Sequence, residues 1–194
     1  MLKRNRIEKI INESVRTQQS LVSSVDAIGR ICEAVVTALK GGGKILTAGN
    51  GGSAAEALHM AEELVGRFRT NRISLPAVSL VADSTAITCI GNDFGFDRIF
   101  SRQVEGLGKR SDVLAVFSTS GNARNLALAL EAAREKEMVS ICFLGRDGGP
   151  LAGAGDHEVI VEGTATERIQ EAHQLLLHIV LESVENAFYR DEDE

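Results

Sequence analysis

Residues 44–53 read Lys44-Ile45-Leu46-Thr47-Ala48-Gly49-Asn50-Gly51-Gly52-Ser53, and an alanine-rich segment follows them. The apolar run has the length of a buried strand, and the glycines after it favour a tight loop before a helix. The same order returns at residues 112–122, where an apolar run precedes Ser118-Thr119-Ser120-Gly121-Asn122 and a second helical segment. Each stretch therefore predicts a strand, a loop of small residues and a helix, the repeating unit of a parallel sheet.

Apolar runs of strand length alternate with helical segments through the rest of the chain. The five runs are Lys44–Ala48, Ala77–Val81, Asp112–Phe117, Val139–Leu144 and Glu158–Val161. This alternation predicts a three-layer α/β fold, a five-stranded parallel sheet with helices on both faces. Apolar stripes at helical spacing also predict two N-terminal helices, the second ending at Gly41-Gly42-Gly43, and a long C-terminal helix over about 166–189.

The composition is typical of a soluble globular protein. The chain has 194 residues, 44% apolar and 25% charged, with a mean hydropathy of +0.01, which excludes disordered, fibrous and disulfide-scaffold proteins. This length predicts a single domain over residues 1–194, with the N-terminal helices in residues 1–40 and an acidic tail at 191–194. The net charge of −6, the absence of tryptophan and the single tyrosine argue against nucleic acid as a partner.

The cysteines and the hydropathy pattern indicate the cellular compartment in which the protein resides. Cys32, Cys89 and Cys142 are far apart and lie in apolar runs, as buried free thiols in a reducing cytosol do. No apolar run reaches the ~18 residues of a membrane-spanning helix, and the basic start of the chain leads into polar residues rather than the apolar core of a signal sequence. We therefore expect a soluble, cytoplasmic protein with no membrane partner.

The loop at residues 118–122 is a candidate anion site. Free backbone N–H groups at a helix start carry partial positive charge, and hydroxyl groups add donors, so a phosphate can bind there without lysine or arginine. Ser53 has the matching place in the first loop, so two loops could converge on one ligand. The alternative is that the serine and asparagine side chains only cap their helices.

The first loop also fits a second motif. Gly49, Gly51 and Ala54 have the spacing of the dinucleotide fingerprint G-x-G-x-x-A. That motif requires an acidic residue about 20 residues later to hold the ribose, and residues 69–72 contain none. A nicotinamide site is therefore disfavoured, and the absence of a G-K-[ST] sequence excludes a P-loop.

Two helical segments carry candidate catalytic or metal-binding groups. His59 and Glu63 are four residues apart, so both can point at one centre, although such a pair is commonly a surface interaction. Gln170 and His178 are eight residues apart, two turns along nearly the same helix face. A histidine on an apolar face is more often a core residue, but one that shares its face with a glutamine favours a functional role.

Taken in order along the chain, these motifs resemble the phosphoheptose isomerases of the sugar-isomerase (SIS) superfamily. The resemblance extends over almost the whole chain. The residues that carry it are Gly49-Asn50-Gly51-Gly52-Ser53, His59-Met60-Ala61-Glu62-Glu63-Leu64, Gly91-Asn92-Asp93-Phe94-Gly95-Phe96, Ser118-Thr119-Ser120-Gly121-Asn122, Asp147-Gly148-Gly149, and Arg168-Ile169-Gln170-Glu171-Ala172-His173 with His178.

Membership of that family implies an activity, a fold and an assembly. The activity is interconversion of sedoheptulose 7-phosphate and D-glycero-D-manno-heptose 7-phosphate, which supplies ADP-heptose for lipopolysaccharide core synthesis. The fold is a flavodoxin-like sheet, and the assembly is a homotetramer with one zinc ion per subunit. Carried over by position, the zinc ligands are His59, Glu63, Gln170 and His178. The substrate contacts are Asn50, Gly51, Gly52, Glu63, Asn92, Asp93, Ser118, Thr119, Ser120 and Gln170, with Ser53 a further phosphate donor.

The isomerisation needs a proton carried between C1 and C2 through an enediol and another carried between the two oxygens. We expect Glu63 to act at carbon and His178 at oxygen, although the two could exchange these roles. The chain departs from the family pattern at Ala123, where serine is common, and at Glu167, where aspartate is usual. The alternative function is a non-catalytic SIS-domain protein that binds a partner such as a replication initiator. The presence of His59, Glu63, Gln170 and His178 together favours the enzyme.

Overall fold

The central sheet of the molecule has five parallel strands. The computed structural model describes residues 2–189, so the predicted acidic tail at 191–194 lies outside the described residues. The strands are β1 (Ile45–Gly49), β2 (Ala77–Ser79), β3 (Val113–Ser118), β4 (Val139–Gly145) and β5 (His157–Val161). Their order is β2-β1-β3-β4-β5, and every neighbouring pair is parallel. This is the flavodoxin-like order, and the predicted sheet is confirmed.

Helices cover both faces of the sheet, as the alternating pattern predicts. The α-helices are α1 (Arg4–Ser20), α2 (Val25–Lys40), α3 (Gly52–Val65), α4 (Ser84–Phe94), α5 (Ser101–Leu107), α6 (Arg124–Glu135) and α7 (Thr166–Phe188). Short 3₁₀ helices span Leu21–Ser24, Phe96–Arg98 and Gly149–Leu151. The 3₁₀ helix at Leu21–Ser24 replaces the expected first turn of the second N-terminal helix. In it the Ser23 hydroxyl donates to the Ser20 carbonyl, and such a local hydrogen bond competes with a regular α-helix.

Two apolar cores lie on the two sides of the sheet. Successive strand residues alternate between them: Ile45 packs with α2, α3 and α7, whereas Leu46 packs with α5 and α6. Both residues are fully buried, which explains why these strands read as continuous apolar runs in the sequence. The ends of β1 and β3 are in register, with Gly49 opposite Phe117, so the loops after these two strands lie side by side.

The N-terminal helix α1 has an exposed apolar stripe. None of its residues is buried, and the side chains of Ile7, Ile11 and Val15 are 46%, 56% and 54% exposed. These residues are four apart and therefore lie on one face of the helix. Within the part of the chain that the structure describes, no helix has both the length and the apolar character that crossing a membrane requires.

The cysteine environments differ from the sequence expectation. Cys142 is buried in β4 and Cys32 is half-buried, but Cys89 is exposed on α4. The expectation of three buried thiols is therefore wrong for Cys89. The physical reason is that α4 is a short edge helix with no buried residue, so an apolar neighbourhood in sequence does not mean burial here.

Candidate active site

The first loop follows β1 and leads into α3. Gly51 has a φ of +56°, which favours glycine, and the backbone turns there so that the Ser53 N–H donates to the Asn50 carbonyl at 3.0 Å. Gly51 and Gly52 are exposed, whereas Ser53 is 4% exposed. A Cβ at Gly49 would lie 2.3 Å from the Ser53 carbonyl oxygen, so the close approach of the Ser53 backbone to residue 49 also requires glycine. The loop thus presents backbone N–H groups at the start of a helix, which is what an anion site needs.

The second loop follows β3 and leads into α6. The Gly121 N–H donates to Ser118 Oγ at 3.0 Å, and the Asn122 N–H donates to Ser120 Oγ at 3.4 Å. Thr119 and Ser120 are half-buried at the mouth of the loop. The two loops flank the point where the strand order reverses, between β1 and β3. In open α/β sheets, ligands bind at this point.

A cluster of polar side chains lies where α3 packs on α7. His59 Nε2 is 3.2 Å from Glu63 Oε1 on α3, and His178 of α7 meets His59 edge to face, with ring centroids 5.2 Å apart. Burial, with the neighbouring His59 as a further cause, holds the pKa of His178 below its ordinary value. His178 is therefore a neutral imidazole at neutral pH and can accept or donate a proton.

Two glutamines of α7 take different places. The Gln170 amide packs on Gly52, where an added Cβ would lie 2.1 Å from Gln170 Nε2. The amide nitrogen of Gln174 contacts His59 Nδ1 and lies 3.1 Å from His178 Nε2. Gln174 is not among the residues that the sequence motifs indicate. Its spacing, midway between Gln170 and His178 on one helix face, is the signal that could have identified it.

Asn92 and Asp93 make no hydrogen bond to this cluster within residues 2–189. They lie exposed at the end of α4, where the Asn92 amide donates to Asp93 Oδ1 at 2.7 Å. Within residues 2–189 of this single chain, no hydrogen bond joins either residue to the other predicted site residues. At the two departures from the family pattern, Ala123 provides no side-chain cap for α6 and Glu167 is exposed in the first turn of α7.

The segment between α3 and β2 encloses one side of the cluster. Its Phe68 ring stacks on His178, with centroids 5.6 Å apart and planes 28° apart. The segment is held by Glu185 of α7, which accepts hydrogen bonds from the backbone N–H groups of Arg69 and Thr70 and from the Thr70 hydroxyl. This anchor has no local signal in the sequence.

Arg72 connects the same anchor to the end of α3. Its side chain is 1% exposed, and its Nε lies 3.5 Å from Glu185 Oε2. Its guanidinium donates to the carbonyls of Glu63 at 2.6 Å and Leu64 at 2.9 Å. A buried arginine therefore caps the end of α3. One of the carbonyls it binds belongs to Glu63, whose carboxylate is part of the cluster.

A second polar pair, His173 and Glu56, is buried beneath the site. His173, with no exposed surface, contacts the Leu144 carbonyl through Nε2 at 3.0 Å, and its Nδ1 lies 3.6 Å from Glu56 Oε2. These contacts join α7 to β4 and α3 in the interior. His173 is therefore a core histidine and not a group that can meet a ligand.

The donor groups of the cluster suit a divalent cation. Donor atoms of His59, Glu62 and Glu63 all lie within 4.8 Å of one another. The His59 Nε2 to Glu63 Oε1 distance of 3.2 Å is close to the about 3.3 Å expected between two ligands of one tetrahedral zinc ion. Imidazole and carboxylate are also usual zinc ligands. The described residues thus offer a possible metal-binding group on α3.

Comparisons with known proteins identify the family. The model of the SIS domain family matches residues 10–145. A phosphoheptose isomerase of Enterobacter sp. (strain 638) is 44% identical over 183 residues, which covers 92% of this chain and 95% of the relative. A phosphoheptose isomerase of Citrifermentans bemidjiense is 48% identical over 163 residues, covering 84% and 85% of the two chains.

Solved structures agree with this assignment. The structure of a phosphoheptose isomerase from Francisella tularensis superposes with a TM-score of 0.91 at 34% identity, covering 96% of this chain and 100% of that one. These relatives do not favour the alternative of a non-catalytic partner-binding protein. The chain therefore belongs to the phosphoheptose isomerase family of SIS-domain proteins.

Proposed function

We propose that this protein isomerises sedoheptulose 7-phosphate to D-glycero-D-manno-heptose 7-phosphate. The observation that carries the proposal is that Glu63 and His178 both contact His59, where α3 packs on α7. The loops after β1 and β3 lie at the same edge of the sheet and provide places for a phosphate and for sugar hydroxyls. Family membership supports the same reaction.

Each proposed substrate contact follows from its place in these loops. Asn50, Gly51, Gly52 and Ser53 surround the start of α3, and Ser118, Thr119 and Ser120 surround the start of α6. Gln170 lies against Gly52 and so can reach a sugar bound at the first loop. We propose Asn92 and Asp93 as further contacts. Because no hydrogen bond joins them to the cluster within residues 2–189, we propose that they contact a sugar bound at the cluster of a neighbouring subunit.

The reaction divides into two proton transfers that this chain can perform. Glu63 removes the proton from one carbon and returns it to the adjacent carbon, since a carboxylate is a suitable base for a transient enediol. His178, neutral because its pKa is lowered, carries the proton between the two oxygens. Each group of this kind contributes about 10²–10⁴ in rate. Phe68 shields one face of the His178 ring from water.

We propose zinc as the metal, held by His59, Glu63, Gln170 and His178. The possible metal-binding group on α3 supports the first two of these ligands. Zinc, when bound, would polarise the carbonyl and enediolate oxygens as a Lewis acid. Elemental analysis of protein purified without a chelator should find about one zinc per chain, and the His59→Ala variant should lose it.

Turnover measurements test the proposed function. The Glu63→Gln and His178→Gln variants should lose at least about 10²-fold in kcat on sedoheptulose 7-phosphate. Matched controls are Glu131→Gln on α6 and His157→Gln on β5, which make the same changes away from the site and should keep wild-type kcat. Near-normal turnover in both site variants would refute the assignment.

We also propose that residues 1–40 mediate self-association to a tetramer. The exposed stripe of Ile7, Ile11 and Val15 supports an interface, because a monomer would leave this apolar face in water. Ile11→Asp should yield a smaller species by light scattering, whereas Glu8→Gln on the same helix should not.

We place the reaction in the cytoplasm, where the three free thiols would stay reduced.

A further inference from the structure

The Gln174 side chain lies between the two histidines of the cluster and touches both. Its amide nitrogen contacts His59 Nδ1 and His178 Nε2. Among residues 2–189, neither of these ring nitrogens has another hydrogen-bond partner. The protonation pattern of both rings therefore depends on one amide.

The chemistry of an amide limits which patterns are possible. An NH₂ group has two protons and no lone pair, so when it faces the two rings it donates to both. His59 Nδ1 must then be unprotonated, which places the His59 proton on Nε2, facing Glu63 Oε1. If the amide turns over, its carbonyl oxygen has two lone pairs and accepts an N–H from both rings. The amide therefore couples the two rings: His178 carries its proton on Nδ1 when His59 carries its own on Nε2, and on Nε2 when His59 carries its own on Nδ1.

Only one of the two patterns suits a cation. When His59 keeps its proton on Nε2, the nitrogen beside Glu63 has no lone pair to offer a metal. When the proton is on Nδ1 and bonds to the Gln174 carbonyl, His59 Nε2 becomes a ligand next to Glu63. A ligating histidine that donates its other N–H to an oxygen is the usual arrangement at protein metal sites.

We propose that Gln174 is a positioning residue that couples the tautomers of His59 and His178 and, through its amide carbonyl, holds the pair of tautomers that suits a divalent cation. In that arrangement the carbonyl accepts an N–H from His59 Nδ1 and another from His178 Nε2. This inference rests on the proposed function only in taking His59 and Glu63 as metal ligands. It adds a residue that the family motifs do not include.

Two substitutions separate this role from simple packing. Gln174→Leu keeps the apolar stem and removes both hydrogen bonds, so zinc affinity should fall about ten- to a hundredfold. Gln174→Glu can only accept, so it should restore zinc binding to the wild-type level or above. The control Gln18→Leu on α1 makes the same change at a remote, half-buried glutamine and should bind zinc like the wild type. Zinc affinity is measured by competition with a chromogenic chelator.

The ring tautomers provide a readout that packing alone would not move. Imidazole ¹⁵N shifts, recorded at one mildly alkaline pH on the zinc-loaded wild type, should place the His59 proton on Nδ1. Gln174→Glu should show the Nδ1–H form without metal. Equal zinc affinity in the leucine and glutamate variants, or a His59 proton on Nε2 in the zinc-loaded wild type, would overturn the proposal. Neither measurement uses turnover, so failure of the isomerase assignment would be recognised separately.

Discussion

Asn50 and Asn125 hydrogen-bond through both of their amides. Asn50 Nδ2 donates to Asn125 Oδ1 at 2.9 Å, and Asn125 Nδ2 donates to Asn50 Oδ1 at 3.0 Å. Asn50 belongs to the loop after β1 and Asn125, 3% exposed, to the first turn of α6. This pair fixes the distance between the two loops that we propose to hold the sugar phosphate.

Breaking the pair should weaken substrate binding. Asn125→Ala leaves the Asn50 amide without its partner and should reduce the free energy of unfolding by about 1–3 kcal/mol. Because the loops are then free to separate, KM for sedoheptulose 7-phosphate should rise by about tenfold, equivalent to about 1.4 kcal/mol. Chemical denaturation and steady-state kinetics measure the two effects. Asn186→Ala, an exposed position on α7, is the control. A stability loss with unchanged KM would contradict a role in loop spacing.

Gly52 should not tolerate alanine without loss of function. The added Cβ would lie 2.1 Å from Gln170 Nε2, so the flexible glutamine must move away while the backbone stays in place. A displacement of this size at a reacting centre costs about 10²-fold in kcat/KM. Gly29→Ala on α2, where nothing lies within 4 Å of the new Cβ, should keep full activity and gain a little stability. Comparable kinetics in the two variants would show that the place of Gln170 is unimportant.

Glu185 should make stability depend on acid pH. Burial opposes its ionisation, but the hydrogen bonds from Thr70 and Arg69 and the charge of Arg72 outweigh burial and hold its pKa below the ordinary value of 4.5. A carboxyl with a lowered folded-state pKa stabilises the fold above that ordinary value, and the contribution disappears as pH falls through the folded-state pKa.

The variant Glu185→Gln tests this directly. At neutral pH it should lower the free energy of unfolding by about 2–3 kcal/mol, and the difference from wild type should shrink as the solution is acidified. Denaturant titrations across acid and neutral pH provide the comparison. Glu182→Gln changes an exposed carboxylate on the same helix and should have little effect at any pH. A difference that does not vary with pH would exclude a charge contribution from Glu185.

The three thiols should differ in reactivity. Burial, together with the charges of Glu158 and Asp156, raises the pKa of Cys142 to about 12, so its reactive thiolate is scarce at neutral pH. Mass spectrometry after alkylation of native protein should find Cys89, which is exposed, modified long before Cys142. Cys142 should react only after denaturation. Equal labelling rates in the native protein would contradict the burial of β4.

The sequence by itself determined the sheet and the pairs within one helix. Strands buried on both faces, such as the one with Ile45 and Leu46, must be continuously apolar, and this leaves a readable pattern. His59 and Glu63 are neighbours in any α-helix because of its 3.6-residue turn. Gly49, Gly51 and Gly52 likewise predict the tight turn that the loop makes, since the backbone there requires glycine.

Only the tertiary structure decided which side chains meet between elements. The choice of Gln174 rather than Gln170 as the neighbour of His59 depends on how α7 is rotated and shifted against α3. The bonds from Glu185 to the segment that carries Phe68, and from Asn50 to Asn125, depend equally on long-range packing. The spacing of apolar residues in the sequence determines which face of each helix packs against the core. The axial shift of one helix along another is set by the packing of the whole core, which no local pattern encodes.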